Sequence, residues 1–94
     1  MFIIDLEYTG TMEEIDAHLV AHREFLELNY QKGLLLASGP KNQRNGGVIL
    51  ALGSSREAVD AMIQADPFFT LGLARYSVTE FSPVKHRKEI AELI

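Results

Sequence analysis

The sequence predicts an α+β fold: a ferredoxin-like βαββαβ antiparallel sheet with two helices on one face. Three observations carry this reading. Two stretches repeat apolar residues at helical spacing, Glu13 to Lys32 and Ser55 to about Ala65. Four stretches read as strands: Phe2 to Tyr8, Leu34 to Ser38, Val48 to Leu52 and Gly72 to Phe81. Their order is two βα units joined by a hairpin.

Each element has its own signals. In the first strand Phe2, Ile4, Leu6 and Tyr8 share one face, and Ile3, Asp5 and Glu7 the other. Thr11 is placed to N-cap the first helix, with Glu13 and Glu14 in its first turn. Gly33 is a natural stop after Lys32. The second strand is almost wholly apolar and is expected to end at Gly39-Pro40, because proline cannot donate to a ladder. Lys41 to Asn45 is a polar loop, read as closed by a Gly46-Gly47 hairpin turn. Gly53-Ser54-Ser55 opens the second helix, with Ser54 or Ser55 as N-cap and with Ala58 and Met62, joined by Val59 and Ile63, supplying its apolar face. Asp66-Pro67 breaks that helix, since the residue before proline leaves the α region. Ser82-Pro83 ends the last strand, and the tail turns helical from Arg87 to Leu93.

Composition narrows the function classes. Ninety-four residues make one domain, 1–94, with 82–94 as a C-terminal tail. A chain this short buries only about 60–65% of its unfolded surface, which favours oligomerisation. The middle strands are apolar on both sides, whereas a sheet face open to water alternates. A homodimer packed sheet to sheet is therefore expected. The net charge of −4 and the scattered basic residues argue against nucleic acid. With no cysteine, disulfides, thiolate metal sites and cysteine nucleophiles are excluded. No apolar run approaches a membrane span. Met1 leads directly into a strand without a basic leader, so a cytoplasmic protein is expected.

His22 is the most informative residue. On a helical projection Ile15, Leu19, Leu26 and Tyr30 line one side, with Phe25 and His18 at its edge. His22 falls near the centre of that arc, while Asp16, Arg23, Glu24, Glu27 and Gln31 fall opposite. A histidine aimed at a core needs a hydrogen-bond partner or a task. Asp66 is the natural partner. A carboxylate at the negative end of a helix, beside Phe68 and Phe69, is unfavourable unless a donor or cation offsets it. A histidine held by a carboxylate is an oriented general base. Asp66 also reads as simple helix punctuation, and His22 as a satisfied core histidine; both readings stand at this level.

Other candidates carry less. His18 and His22 are four apart, a metal-ligand spacing, yet too few further ligands exist, so no metal is expected. His18 is read as a pocket-edge or surface residue. Ser38 is expected to hydrogen-bond at its strand end rather than act as a nucleophile. The loop before Gly46 lacks a phosphate-cradle pattern, although Arg44 is placed to meet an anionic ligand.

Taken together, His22-Arg23-x-Phe25-Leu26, Gly33, Ser38-Gly39-Pro40 and Asp66-Pro67-Phe68 resemble the YciI-like (YCII-related) family. The likeness runs from the first strand to about Phe81. It implies a subunit of the dimeric α+β barrel superfamily, with a pocket holding a histidine and an aspartate suspected of acid–base chemistry. A relative in that family is similar to a dehydrochlorinase acting on a chlorinated hydroquinone, and muconolactone isomerases share the superfamily. The expected site is then His22 and Asp66 as the catalytic pair, with Ser38, Gly39, Pro40, Phe68, Arg44 and His18 around a small-molecule ligand. No cofactor is implied. Proton abstraction from a small cyclic or phenolic compound, leading to isomerisation or elimination, is one reading. A non-catalytic ligand-binding or accessory module is the other, and a ligand-free structural dimer a third.

Overall fold

Alternation in the first strand decides where the core lies. Phe2, Ile4 and Leu6 are buried, and the residues between them are not. A computed structural model describes residues 1–52 and 55–94; Gly53 and Ser54, read above as opening the second helix, lie outside the described residues. The elements are β1 (Phe2–Tyr8), α1 (Met12–Ala17), α2 (Leu19–Gln31), β2 (Leu35–Pro40), β3 (Gly46–Ala51), α3 (Arg56–Gln64), α4 (Pro67–Thr70) and β4 (Ala74–Glu80), followed by a 3₁₀ turn over Lys88–Leu93. The four strands pair antiparallel in the order β2-β3-β1-β4. This is the α+β ferredoxin-like arrangement that the sequence predicts. Among the described residues no helix is long and apolar enough to cross a membrane.

One sheet face carries the core. Phe2, Ile4, Leu6, Leu35, Ile49 and Ala51 meet Ile15, Phe25, Val59, Met62, Ile63 and Phe68 from the helices. Full burial of each large side chain contributes roughly 1.5–3 kcal/mol. On the opposite face Ile3 pairs with Leu50, and Asp5 with Val48. Ile3, Val48 and Leu50 are half-buried there, while Ser77 and Thr79 of β4 are exposed. Asp5 is bonded to Lys41 at 3.0 Å and Glu7 to Arg75 at 3.7 Å. The helix-free face is thus apolar around β3 and polar around β4.

Three local expectations are corrected. The first helix is two helices, separated at His18, whose φ of −114° and ψ of 11° leave the α region. Its N–H bonds to the Ile15 carbonyl at 3.1 Å, a tightened turn. A reciprocal Thr11–Glu14 capping box starts α1. The kink brings Ile15 before it and His22 and Phe25 after it onto the same sheet. Secondly, Gly39 and Pro40 belong to β2 instead of ending it. β2 is an edge strand, where a missing donor is tolerated.

Thirdly, Gly46 and Gly47 do not form the hairpin turn; they open β3. The turn lies before them, closed by Lys41 N–H to the Gly46 carbonyl and Arg44 N–H to the Lys41 carbonyl, both at 2.8 Å. Gly46 is required by close approach: a Cβ there would lie 1.9 Å from the Leu6 carbonyl oxygen. The residue that takes the left-handed conformation is Arg44, at φ 56°. The helix ends match expectation better. Gly33, at φ 73°, closes α2 with a Schellman pair, Gly33 N–H to Tyr30 at 2.9 Å and Leu34 N–H to Asn29 at 3.0 Å. Ser55 caps α3 by accepting from the Ala58 N–H at 3.1 Å.

Gly46→Ala is expected to destabilise the fold by about 1–3 kcal/mol, the usual effect of forcing an extra carbon into a packed interior. Equilibrium urea unfolding checks this, and a variant as stable as the parent would mean that β1 and β3 are not so closely apposed.

Candidate active site

His22, Asp66 and Tyr76 form one hydrogen-bonded chain across α2, α4 and β4. His22 lies in the middle of the core-facing side of α2 and is only 9% exposed. Its Nδ1 stands 2.8 Å from Asp66 Oδ1. The Phe68 ring stacks on the imidazole, with centroids 4.1 Å apart and planes within 7°. Phe25 flanks the same imidazole at 6.2 Å. Rotation of the ring is therefore restricted both by packing and by the hydrogen bond.

Asp66 reaches this position by a local rule that differs from the one inferred from sequence. It does not simply end α3; it N-caps the short α4, with Pro67 at the first helical position. Its Oδ1 accepts from the Phe68 N–H at 3.0 Å. The carboxylate thus sits at the favourable, positive end of a helix turn. Asp66 is completely buried. Its second oxygen accepts from the Tyr76 hydroxyl at 2.5 Å. Three donors, the Phe68 N–H, the His22 ring N–H and the Tyr76 O–H, therefore converge on one buried carboxylate. Burial, reinforced by the bond to Asp66, pushes the Tyr76 hydroxyl far above its ordinary value, so it stays a donor.

This pattern sets the tautomer. With Nδ1–H donating to Asp66, Nε2 carries the lone pair. Among the described residues nothing bonds Nε2, and no fully buried side-chain nitrogen or oxygen lacks a partner. Nε2 is therefore accessible. His22 lines a cavity of about 280 Å³ between α1–α2 and the β1, β2 and β3 end of the sheet. An imidazole held from behind, with a free nitrogen and a cavity beside it, can take and return a proton.

Of the residues expected at the ligand, Ser38, Gly39, Pro40 and Arg44 line this cavity with His22. The Ser38 hydroxyl is paired with Tyr30 at 2.7 Å, as its strand-end position suggests. Asp66 and Phe68 do not line it; both lie behind His22. Phe68 is a packing partner of the imidazole, and its place follows from being two residues past the cap. His18 does not line it either, being spent at the kink between α1 and α2. Among the described residues no three His, Cys, Asp or Glu side chains cluster to hold a metal.

Sequence reasoning missed four contributors. Tyr76 pairs with Leu6 in the register, so β4 alternation marks it as inward-facing, but nothing local links it to Asp66. Tyr8 lines the cavity as the last inward residue of β1; burial raises its hydroxyl pKa, and Arg44 opposes the rise. Asp16 and Arg23 also line the cavity although they project to the wet side of a helical wheel. The cavity opens along the helix flank, which a wheel does not show.

Tyr76→Phe is expected to cost about 1–3 kcal/mol, because it leaves a buried carboxylate oxygen unsatisfied. It also changes the pH dependence. A phenol whose pKa is raised on folding stabilises below its ordinary value of 10.0, and that stability is lost as pH climbs above it. Unfolding curves between neutral pH and about pH 11 should show a falling limb that is shallower in Tyr76→Phe. Parallel limbs would mean that Tyr76 is not the buried donor.

A search of curated proteins finds no match. Among solved structures, the 5-chloro-2-hydroxyhydroquinone dehydrochlorinase from Burkholderia phenoliruptrix AC1100, in complex with 2,5-dihydroxybenzoquinone, is similar. The two share 21% identity at a TM-score of 0.71, over 95% of this chain and 98% of that one. That likeness is one of fold. The YCII-related domain family matches residues 1–82, leaving the tail outside, and the chain therefore belongs to the YCII-related family.

Proposed function

We propose that the chain is an enzyme that abstracts a proton from a small cyclic or phenolic compound, with His22 Nε2 as general base. Asp66 is the group that orients that base and stabilises the imidazolium it becomes. The observation that carries this is the free Nε2 on the cavity, backed by a fully bonded, buried carboxylate. The similar fold of a dehydrochlorinase that acts on a hydroquinone supports a lyase-like reaction.

In an elimination, Nε2 takes the proton and the freed electron pair enters the ring π system. Chloride leaves with the C–Cl pair, so the substrate loses HCl overall. In an isomerisation, the imidazolium returns the same proton to a second carbon. Either way Asp66 stabilises the transient imidazolium without itself taking the proton. No cofactor is needed for this step. The alternative, a non-catalytic ligand-binding or accessory module, would use the same cavity.

We also propose a homodimer. The helix-free sheet face bears the half-buried apolar side chains of Ile3, Val48 and Leu50, and a second copy is the simplest cover for them.

Chloride release from 5-chloro-2-hydroxyhydroquinone tests the first proposal. His22→Asn should reduce turnover by at least about 100-fold, the usual contribution of a general base. Equal rates in parent and variant, or ligand binding without turnover of any phenolic compound, would leave the binding module as the reading. Light scattering at micromolar concentration should give twice the 10.5 kDa subunit mass; a stable monomer would rule the dimer out.

A further inference from the structure

The chain has five arginines, and three of them are paired with carboxylates: Arg56 with Asp60 at 2.9 Å, Arg75 with Glu7 at 3.7 Å and Arg87 with Glu89 at 3.0 Å. Among the described residues Arg23 and Arg44 have no ion pair and no side-chain hydrogen bond, and these two are the arginines that line the cavity. They reach it from different elements, Arg23 from α2 and Arg44 from the β2–β3 turn. Arg44 does so from a left-handed backbone, at φ 56°, a conformation that asparagine or glycine takes more readily. Asn42, Asn45 and Gly46 are all within two residues of it.

We infer that the cavity selects a small ligand bearing an oxygen anion, and that Arg23 and Arg44 are the residues that select it. This rests on the cavity being a ligand site, as proposed above, and not on its being catalytic. A guanidinium offers a planar fork of donors that matches a carboxylate or phenolate oxygen, and an unfilled fork on a cavity wall favours such a group over a neutral one. Asp16 faces the same cavity and opposes an anion. Two cations against one carboxylate still leave the wall positive, and the Tyr8 hydroxyl adds a donor. The volume of about 280 Å³ lies at the small end for ligand clefts, room for one ring and its substituent.

The test uses benzoate and its neutral counterpart benzamide, titrated into the full chain and followed by amide NMR shifts. Benzoate should bind at least about tenfold more tightly than benzamide, the usual margin for a charged hydrogen bond. Arg23→Gln and Arg44→Asn should each reduce that preference, and the double variant should abolish it. Asparagine suits the left-handed turn, so Arg44→Asn should melt no lower than the parent, which separates lost binding from lost folding. A 4-nitrophenol titration above and below its own pKa extends the comparison to a phenolate; tighter binding of the ionised form is expected. Equal binding of benzoate and benzamide, no shift of any cavity resonance with either, or a preference that survives the double variant overturns the inference. Benzoate preference without turnover of phenolic substrates would overturn the catalytic reading alone, and turnover without anion preference would overturn this one alone.

Discussion

The buried carboxylate of Asp66 is the group on which the rest of the molecule depends. A charge with no exposure to water is tolerated only when its oxygens are hydrogen-bonded. Here the donors come from three elements, α4 and β4 close by in the chain and α2 44 residues away. Satisfying one side chain therefore fixes where α2 lies over the sheet, where α4 begins and which face of β4 Tyr76 occupies. The stack of Phe68 on His22 is a by-product of the same cap, because the residue whose N–H bonds Oδ1 is also the one whose ring meets the imidazole. Fold and site share this interaction, so a variant at Asp66 disturbs both and reports on neither cleanly.

The element order and the inward face of β1 were legible because a period of two and a helical period are local properties. His22 stood out by the same reasoning, as a polar residue at an apolar helical position. Its pairing with Asp66 was anticipated, but for a partly mistaken reason. The sequence suggested a carboxylate stranded at a helix C-terminus, whereas Asp66 is placed comfortably at the start of α4. A four-residue helix is too short to leave a periodic signal. The kink at His18 was illegible because no proline or glycine marks it. The Gly46-Gly47 pair misled because glycine serves equally for a turn and for close strand contact. Only the position of the Leu6 carbonyl separates the two. Tyr76 was hidden for a different reason, since its task is defined by a residue on another element.

The site is built asymmetrically about one ring. Behind His22 every polar group has a partner, and packing by Phe68 and Phe25 holds the imidazole plane. In front, the cavity carries side chains whose donors are unfilled. A closed rear keeps the imidazole in one tautomer and one orientation, which is what the proposed proton transfer demands. An open front leaves the ligand to complete the polar bonding. Asp66 is thus a positioning residue, since His22 stands between it and the cavity.

Arg44 shows the same division in its backbone. A non-glycine residue in the left-handed region costs roughly 1–2 kcal/mol. Around it, the turn holds asparagines and is followed by glycine, the residue types that suit such a conformation, yet the strained position is occupied by arginine. Stability alone would have exchanged Arg44 with a neighbouring asparagine. Arg23 is a milder instance: an exposed helical arginine without an acidic partner forgoes a small pairing gain. Both departures from local preference lie on the cavity wall, and the arginines elsewhere are paired. Residues that break a local rule are where function is expected to outweigh folding. By that criterion the two guanidinium groups on the cavity wall are where a ligand preference belongs, while the His22–Asp66–Tyr76 chain is already required by folding.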